Sequence, residues 1–259
     1  MKSPLVVPVE SLNAEPYTSV VCYPKPSEAE AKNRILELAG LDVEALEFSG
    51  QASAFTVHVL GKGYVGVVVV AYVGGQRYAL KMRRIDADRE SLAHEAELLK
   101  KANSVGVGPK FIAVSRDFLL MQLVDGDLLG NWLKNHREIE VIRRVLEDVL
   151  EQCWRLDEAG LDHGELSKAP KHLLVDASGK PFIVDFEAAS VERRVANVTA
   201  ICQFLFQGNS DAAKIIVETF GARDWSKIVE ALKRYKKNRK RANFEELMRV
   251  CLWLGGYFV

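Results

Sequence analysis

Four cysteines are spread thinly over 259 residues, at Cys22, Cys153, Cys202 and Cys251, and no two form a C-x-x-C pair. That spacing excludes a zinc-binding or thioredoxin-like motif. Isolated cysteines in mainly apolar surroundings fit a reducing compartment. The opening, MKSPLVVPVESLNAEPY, has no apolar core followed by a small-residue cleavage site, so it does not read as a secretory signal. The longest apolar run, VGVVVVAYV, is far shorter than the roughly 20 residues needed to span a bilayer. A cytoplasmic protein with no membrane partner is expected. Net charge is also missing: 35 Lys and Arg balance 35 Asp and Glu, which argues against a simple nucleic-acid glue. The balance is uneven along the chain, because residues from Val191 onward carry 13 basic against 7 acidic side chains. No internal repeat or low-complexity linker is visible.

The chain is long enough for one large domain or two lobes with a real core. Its first 26 residues hold several prolines and little periodicity, and read as an extended arm. Ser27 and Glu30 form an S-x-x-E capping box, which predicts a helix to about Ala39, stopped by Gly40. From about Phe48 to Met82 the period changes to two and β-branched residues dominate. Strands are predicted at FTVHVL, VVVVAYV and QRYALKM, the last two joined by the hairpin signal Gly74-Gly75. A helix follows, roughly Arg89–Ala102, capped by Asp86 or Asp88. Two short strands, PKFIAVS and DFLLMQLV, turn around Arg116-Asp117. Beyond Asp127 the chain turns helical, and Glu138–Ala159 places Ile139, Ile142, Val145, Leu146, Val149, Leu150, Cys153 and Trp154 on one stripe. HLLVD and PFIVDF are short strands, and the last seventy residues are helical again.

Several residues carry chemistry. Gly61, Gly63 and Gly66 spell G-x-G-x-x-G, extended by Val68 to G-x-G-x-x-G-x-V. In a dinucleotide fold the third glycine opens a helix. Here Gly66 opens a β-branched strand, so the glycines sit at a hairpin bend that can offer backbone N–H groups to phosphates, or can be a turn and nothing more. Lys81, on an apolar strand, needs a partner or a ligand phosphate. Glu95 on the next helix is the expected partner, with Glu97 competing. Further on come HGEL, with Glu165, and VDFE, with Asp185.

Together these residues resemble the protein-kinase-like superfamily over roughly Phe55 to Ser190. Within it the chain looks most like the small atypical kinases of the RIO type, the kinase subunit of the tRNA-modifying KEOPS complex, and archaeal predicted Ser/Thr kinases of that lineage. The resemblance implies an α+β bilobal protein-kinase-like fold, with an antiparallel β-rich N-lobe carrying one helix and a reduced, mostly α-helical C-lobe. It divides the chain into an N-terminal extension (1–47), an N-lobe (48–124) and a C-lobe (125–259). Lys81, aligned by Glu95, would hold the α- and β-phosphates of ATP. Met121 would be the gatekeeper, the backbones of Gln122 and Val124 would meet the adenine edge, and Asp127 could reach the ribose. Asp185 would bind Mg²⁺ or Mn²⁺. Glu165 would be the catalytic base.

The loop departs from the family pattern in three ways. Glu165 replaces Asp, His172 stands where Asn is expected, and seven residues rather than five separate them. The longer acid and the longer loop read as one compensated change, in which the carboxylate is re-aimed at a substrate hydroxyl. Neutral imidazole is a poor magnesium ligand and suits manganese or zinc better, so His172 reads as a metal ligand, as a partner for Glu165 or phosphate, or as a loop-ordering core residue. His163 is expected to buttress the loop. Lys168 or Lys171 could neutralise the transferred phosphoryl group, with Lys168 preferred. Glu187, in place of the usual glycine, implies a fixed metal site. The next helix is expected within about five residues of Glu187, leaving no long phosphorylatable segment.

The run KRYKKNRKR, residues 233–241, carries seven basic residues in nine. It reads as a solvated helix end or as a patch for RNA or an acidic partner. Three functions fit the whole: an ATP-dependent Ser/Thr kinase that phosphorylates itself, acting on a protein or another hydroxyl acceptor; a nucleotide-binding pseudokinase serving as scaffold in an RNA-processing assembly; or a small-molecule kinase.

Overall fold

The computed structural model describes residues 5–253. The expected N-terminal extension and C-lobe reach past those bounds, at 1–4 and 254–259. In chain order the elements are β1 (Leu5–Pro8), a short 3-10 turn, α1 (Tyr17–Val21), α2 (Glu28–Gly40), β2 (Ala45–Phe48), β3 (Ala52–Ala54), β4 (Val57–Val59), β5 (Gly61–Lys62), β6 (Gly66–Val73), β7 (Gln76–Arg83), α3 (Ala93–Ser104), β8 (Phe111–Val114), β9 (Phe118–Gln122), β10 (Gly126–Leu128), α4 (Leu129–Asn135), α5 (Ile139–Glu158), β11 (Leu173–Asp176), β12 (Pro181–Ile183), α6 (Asn197–Phe206), α7 (Asp211–Phe220), α8 (Trp225–Lys237) and α9 (Arg241–Leu252). This is the expected antiparallel, strand-rich first part and helical second part. The residues fall into two compact units. The first holds the chain up to Lys100 together with Pro109–Leu123, and the second holds Lys101–Gly108 and everything from Val124.

In the first unit one antiparallel sheet runs β1-β2-β6-β7-β9-β8, with β5 also on β6. The run of β-branched residues in β6 suits this central position, because Val67, Val69 and Ala71 are buried on one face and Val70 on the other. Gly74 and Gly75 adopt φ of 55° and 71°, the pair of positive values that a two-residue hairpin turn requires.

Residues 5–26 are not an extended arm. Val7, Val9, Leu12, Val20, Val21 and Cys22 join the core of this unit, and β1 pairs with β2. An extended arm would have left those side chains in water. The Ser27 cap forms, accepting from the Glu30 N–H, while the Glu30 carboxylate turns to Arg34 at 3.0 Å. Arg34 is fully buried. Its Nη1 donates to the carbonyls of Val21 and Arg83 at 2.7 Å each, and Nη2 lies 3.4 Å from Asp117. Arg83 also pairs with Asp117. Glu37 accepts from Ser115 Oγ at 2.6 Å and the Asp117 N–H at 3.0 Å. Helix α2 is thus bolted to β7 and to the β8–β9 turn.

In the second unit β10, β11 and β12 form a small antiparallel sheet. The apolar stripe of α5 is buried from Ile142 to Cys153. Ile139 departs from expectation: as the first residue of the helix it precedes the packed stretch and is 46% exposed. Helix α3 also begins later than predicted, with Ser91 Oγ accepting from the Ala93 N–H, because Asp86 is committed to Arg84.

Candidate functional site

In the first unit β7 and α3 bring Lys81 and Glu95 together. Both are buried, and Nζ stands 2.8 Å from Oε1. Glu97, the competing choice, pairs with Lys100 at the surface. The glycines differ in what they require. A Cβ on Gly66 would meet Lys81 Cγ at 2.9 Å and the Met82 carbonyl at 3.0 Å, so the bare backbone there makes room for the lysine stem. Gly61 would meet nothing within 4 Å, and Gly63 nothing closer than 3.9 Å. Neither has a positive φ, so the protein itself has no need of glycine at either position. The bend is fixed by Gly63 N–H donating to the Gly66 carbonyl at 2.8 Å and by Arg84 Nη1 donating to the Gly63 carbonyl at 3.0 Å. Val68 lies opposite Lys81 in the β6–β7 ladder. Met121 and Gln122 close β9, and the Gln122 N–H is already given to the Lys110 carbonyl.

In the second unit Asp127, exposed in β10, stands opposite Val175. Gly126 beside it could not carry a side chain, since a Cβ would lie 2.2 Å from the Val175 carbonyl. The HGEL loop is held from beneath. His163 is fully buried, with Nε2 3.1 Å from the Val184 carbonyl and its ring against Phe186 and His172. Burial lowers its pKa to about 4, so it is a neutral strut. Gly164 has φ 90°, and a Cβ there would strike Arg193 and the Ala188 carbonyl. Three supports escaped sequence reasoning. Asn197 Oδ1 accepts from the His163 N–H, and its Nδ2 donates to Asp157 at 2.8 Å and to the Leu161 carbonyl at 2.7 Å. Tyr235 donates to Asp157 at 2.9 Å. Burial raises the Asp157 pKa despite these donors. Asp162 pairs with Arg193 at 3.0 Å and exchanges backbone hydrogen bonds with Ser190. That bridge holds the chain extended, so α6 starts ten residues after Glu187 rather than five.

Above these supports Glu165, His172 and Asp185 each turn a ligand atom into one cluster, all within 4.8 Å of one another. His172 Nε2 lies 3.5 Å from Glu165 and Nδ1 3.8 Å from Asp185. The Val184 N–H donates to the His172 carbonyl at 3.0 Å and so sets this residue beside the strand end that carries Asp185. Asp185 itself takes φ 70°, a left-handed conformation that Asp tolerates better than most residues. Two carboxylates and a buried imidazole nitrogen without a hydrogen bond suit a divalent cation. Lys168 and Lys171 are exposed in and beside the 3-10 turn that follows Glu165.

The basic run spans the end of α8 and the start of α9. Three of its cations are already engaged: Arg234 with Glu246, Arg241 with Glu151 and Glu245, and Arg239 with the Val195 carbonyl. Tyr235 is buried and offers no stacking face. Lys233, Lys236, Lys237 and Lys240 are exposed. Among the described residues no helix is long and apolar enough to cross a membrane.

No curated protein matches the chain. The family model of the RIO domain matches residues 68–200, just over half of the chain and a span that includes Lys81, Glu95, Glu165, His172 and Asp185. The chain belongs to the RIO family of atypical protein kinases, phosphotransferases of a kind that uses ATP and Mg²⁺.

Proposed function

We propose that the protein transfers the γ-phosphoryl group of ATP to Ser/Thr hydroxyls, its own included. The observation that carries this reading is the meeting of Glu165 and Asp185 at one end of a buttressed loop.

Each unit contributes chemistry of its own. Lys81, steered by Glu95, presents a fixed ammonium to the α- and β-phosphates. Gly61 and Gly63, which the protein itself does not need as glycines, leave room for phosphates to approach the backbone. The backbone of Val124, outside any strand, and the Gln122 carbonyl meet the adenine edge beside Met121, and Asp127 takes a ribose hydroxyl. Asp185 and His172 would hold the divalent cation, which when bound would neutralise phosphate charge. Glu165 accepts the proton of the attacking hydroxyl, and Lys168 faces the charge of the transferred group. The four exposed lysines between 233 and 240 suit an acidic partner or RNA backbone better than stacked bases, since Tyr235 is buried.

The test is label transfer from γ-labelled ATP to the protein itself and to a generic protein substrate. Wild type is compared with Asp185→Ala and Glu165→Gln, in Mg²⁺ and in Mn²⁺. Transfer that both substitutions abolish supports the kinase. Tight nucleotide binding with no transfer under either metal would make the protein a pseudokinase, and transfer only to small hydroxyl compounds would make it a small-molecule kinase.

A further inference from the structure

We propose that His172 turns the kinase metal site into a mixed carboxylate–imidazole site that takes Mn²⁺, or a similar transition dication, in preference to Mg²⁺. This deepens the kinase reading and rests on it for the identity of the site.

By the kinase resemblance His172 stands at the position of an Asn, a neutral oxygen donor. Magnesium wants near-octahedral oxygen ligands and gives up its waters reluctantly. Imidazole nitrogen is a better ligand for the first-row transition dications, of which Mn²⁺ binds most weakly, than for Mg²⁺, which keeps to oxygen. Replacing the amide by an imidazole therefore changes which ion is favoured, not only how tightly an ion is held.

The geometry adds three observations. First, the His172 side chain is only 11% exposed, yet its Nδ1 is a buried nitrogen with no hydrogen-bond partner. An orphaned polar atom of that kind calls for an explanation, and a metal supplies one. Second, Nδ1 lies 3.8 Å from Asp185 Oδ2, too far for a hydrogen bond. Two donors each about 2.1 Å from a shared ion stand about 3.0–3.4 Å apart, so a modest rotation of either side chain is enough. Third, the other ring nitrogen, Nε2, faces Glu165 Oε2 at 3.5 Å. A metal-bound histidine commonly gives its second N–H to a carboxylate, which fixes the tautomer and sharpens the ligand nitrogen. Glu165, one methylene longer than the family aspartate, reaches the place where that carboxylate belongs. The two departures in the loop then become one: a lengthened acid orients an introduced imidazole, and Asp185 completes the pair of ligands.

The experiment uses the full chain without nucleotide. Mn²⁺ is titrated in and free ion is followed by its EPR signal. Mg²⁺ competition gives the preference, and electron spin-echo modulation of bound Mn²⁺ reports directly on a coordinated ¹⁴N. The expected result is ¹⁴N modulation in wild type, its loss in His172→Asn, and a fall of the Mn²⁺-over-Mg²⁺ preference by about tenfold or more in that variant, as expected when a metal ligand or its support is removed. Bound Mn²⁺ without ¹⁴N modulation in wild type overturns the proposal even if His172→Asn fails to fold. Modulation that persists in a folded His172→Asn overturns the assignment to His172. Binding of a fluorescent ATP analogue, measured in parallel, separates the two readings. Nucleotide binding without the nitrogen signal removes the metal preference and leaves the kinase, while the nitrogen signal without nucleotide binding does the reverse.

Discussion

The Lys81–Glu95 pair and the Glu165–His172–Asp185 cluster are built on opposite principles. The first lies between a central strand and a helix, buried at both ends and closed by a 2.8 Å contact. The second sits on a loop with its two carboxylates partly exposed, and its imidazole stands 3.5 Å from one and 3.8 Å from the other. The first pair is thus part of the core, whereas the cluster rides on a loop held by His163, Asn197 and the Asp162–Ser190 bridge. Side chains supported in this way can be exchanged without unfolding the protein. Glu for Asp and His for Asn appear in the loop, while the lysine and its glutamate keep the family pattern.

That contrast can be broken by experiment. The largest effect is expected at the loop: Glu165→Gln should slow phosphoryl transfer by about 10²–10⁴-fold with little change in urea midpoint, and a large loss of stability would show that the loop is core after all. Lys81→Met should be felt in the fold as well as in transfer, costing about 3–5 kcal/mol in urea unfolding by taking the ammonium away from buried Glu95; wild-type stability would dissolve the distinction. Gly66→Ala should cost about 1–3 kcal/mol and disturb nucleotide affinity, because its methyl group collides with the Lys81 stem. Unchanged nucleotide affinity would mean that the stem moves freely.

The smallest effect concerns strand β2, between β1 and β6. Burial alone would raise the pKa of Glu47, but donors from Tyr72, Ser49 and Arg77 together outweigh it and hold the carboxyl below its usual value. The stabilisation is therefore complete above the ordinary glutamate range of about 4–5 and is lost as pH falls through the lowered folded value. Glu47→Gln should cost about 1–2 kcal/mol at neutral pH, and the gap to wild type should close in acid. A pH-independent gap would place Glu47 outside this network.

Local chemistry was legible and distant partnership was not. The Ser27 cap, the Gly74-Gly75 turn, the β-branched β6 and the stripe of α5 each write their structure within a few residues. Strands β1, β2 and β10 are three or four residues long and too short for a period to emerge. Within the site, helical spacing separated Glu95 from Glu97, and HGEL and VDFE marked the loop. Asn197 and Asp157, which hold that loop, meet partners 34 to 40 residues away. Arg34 meets the Arg83 carbonyl across 49 residues. Nothing near any of them announces a function. Tyr235, amid seven cations, gives no local sign of its burial until Asp157, 78 positions earlier, is seen to receive its hydroxyl.

The span recognised by family similarity opens at residue 68, two residues into strand β6. A fragment cut there would lose Gly66 and the flap before it, strip β6 of its neighbour β2, and leave Asp117 facing a vacancy where Arg34 had been. Recombinant work that trims this protein to residues 68–200 would thus be expected to yield insoluble material, and a negative assay on such a fragment would say nothing about the full chain.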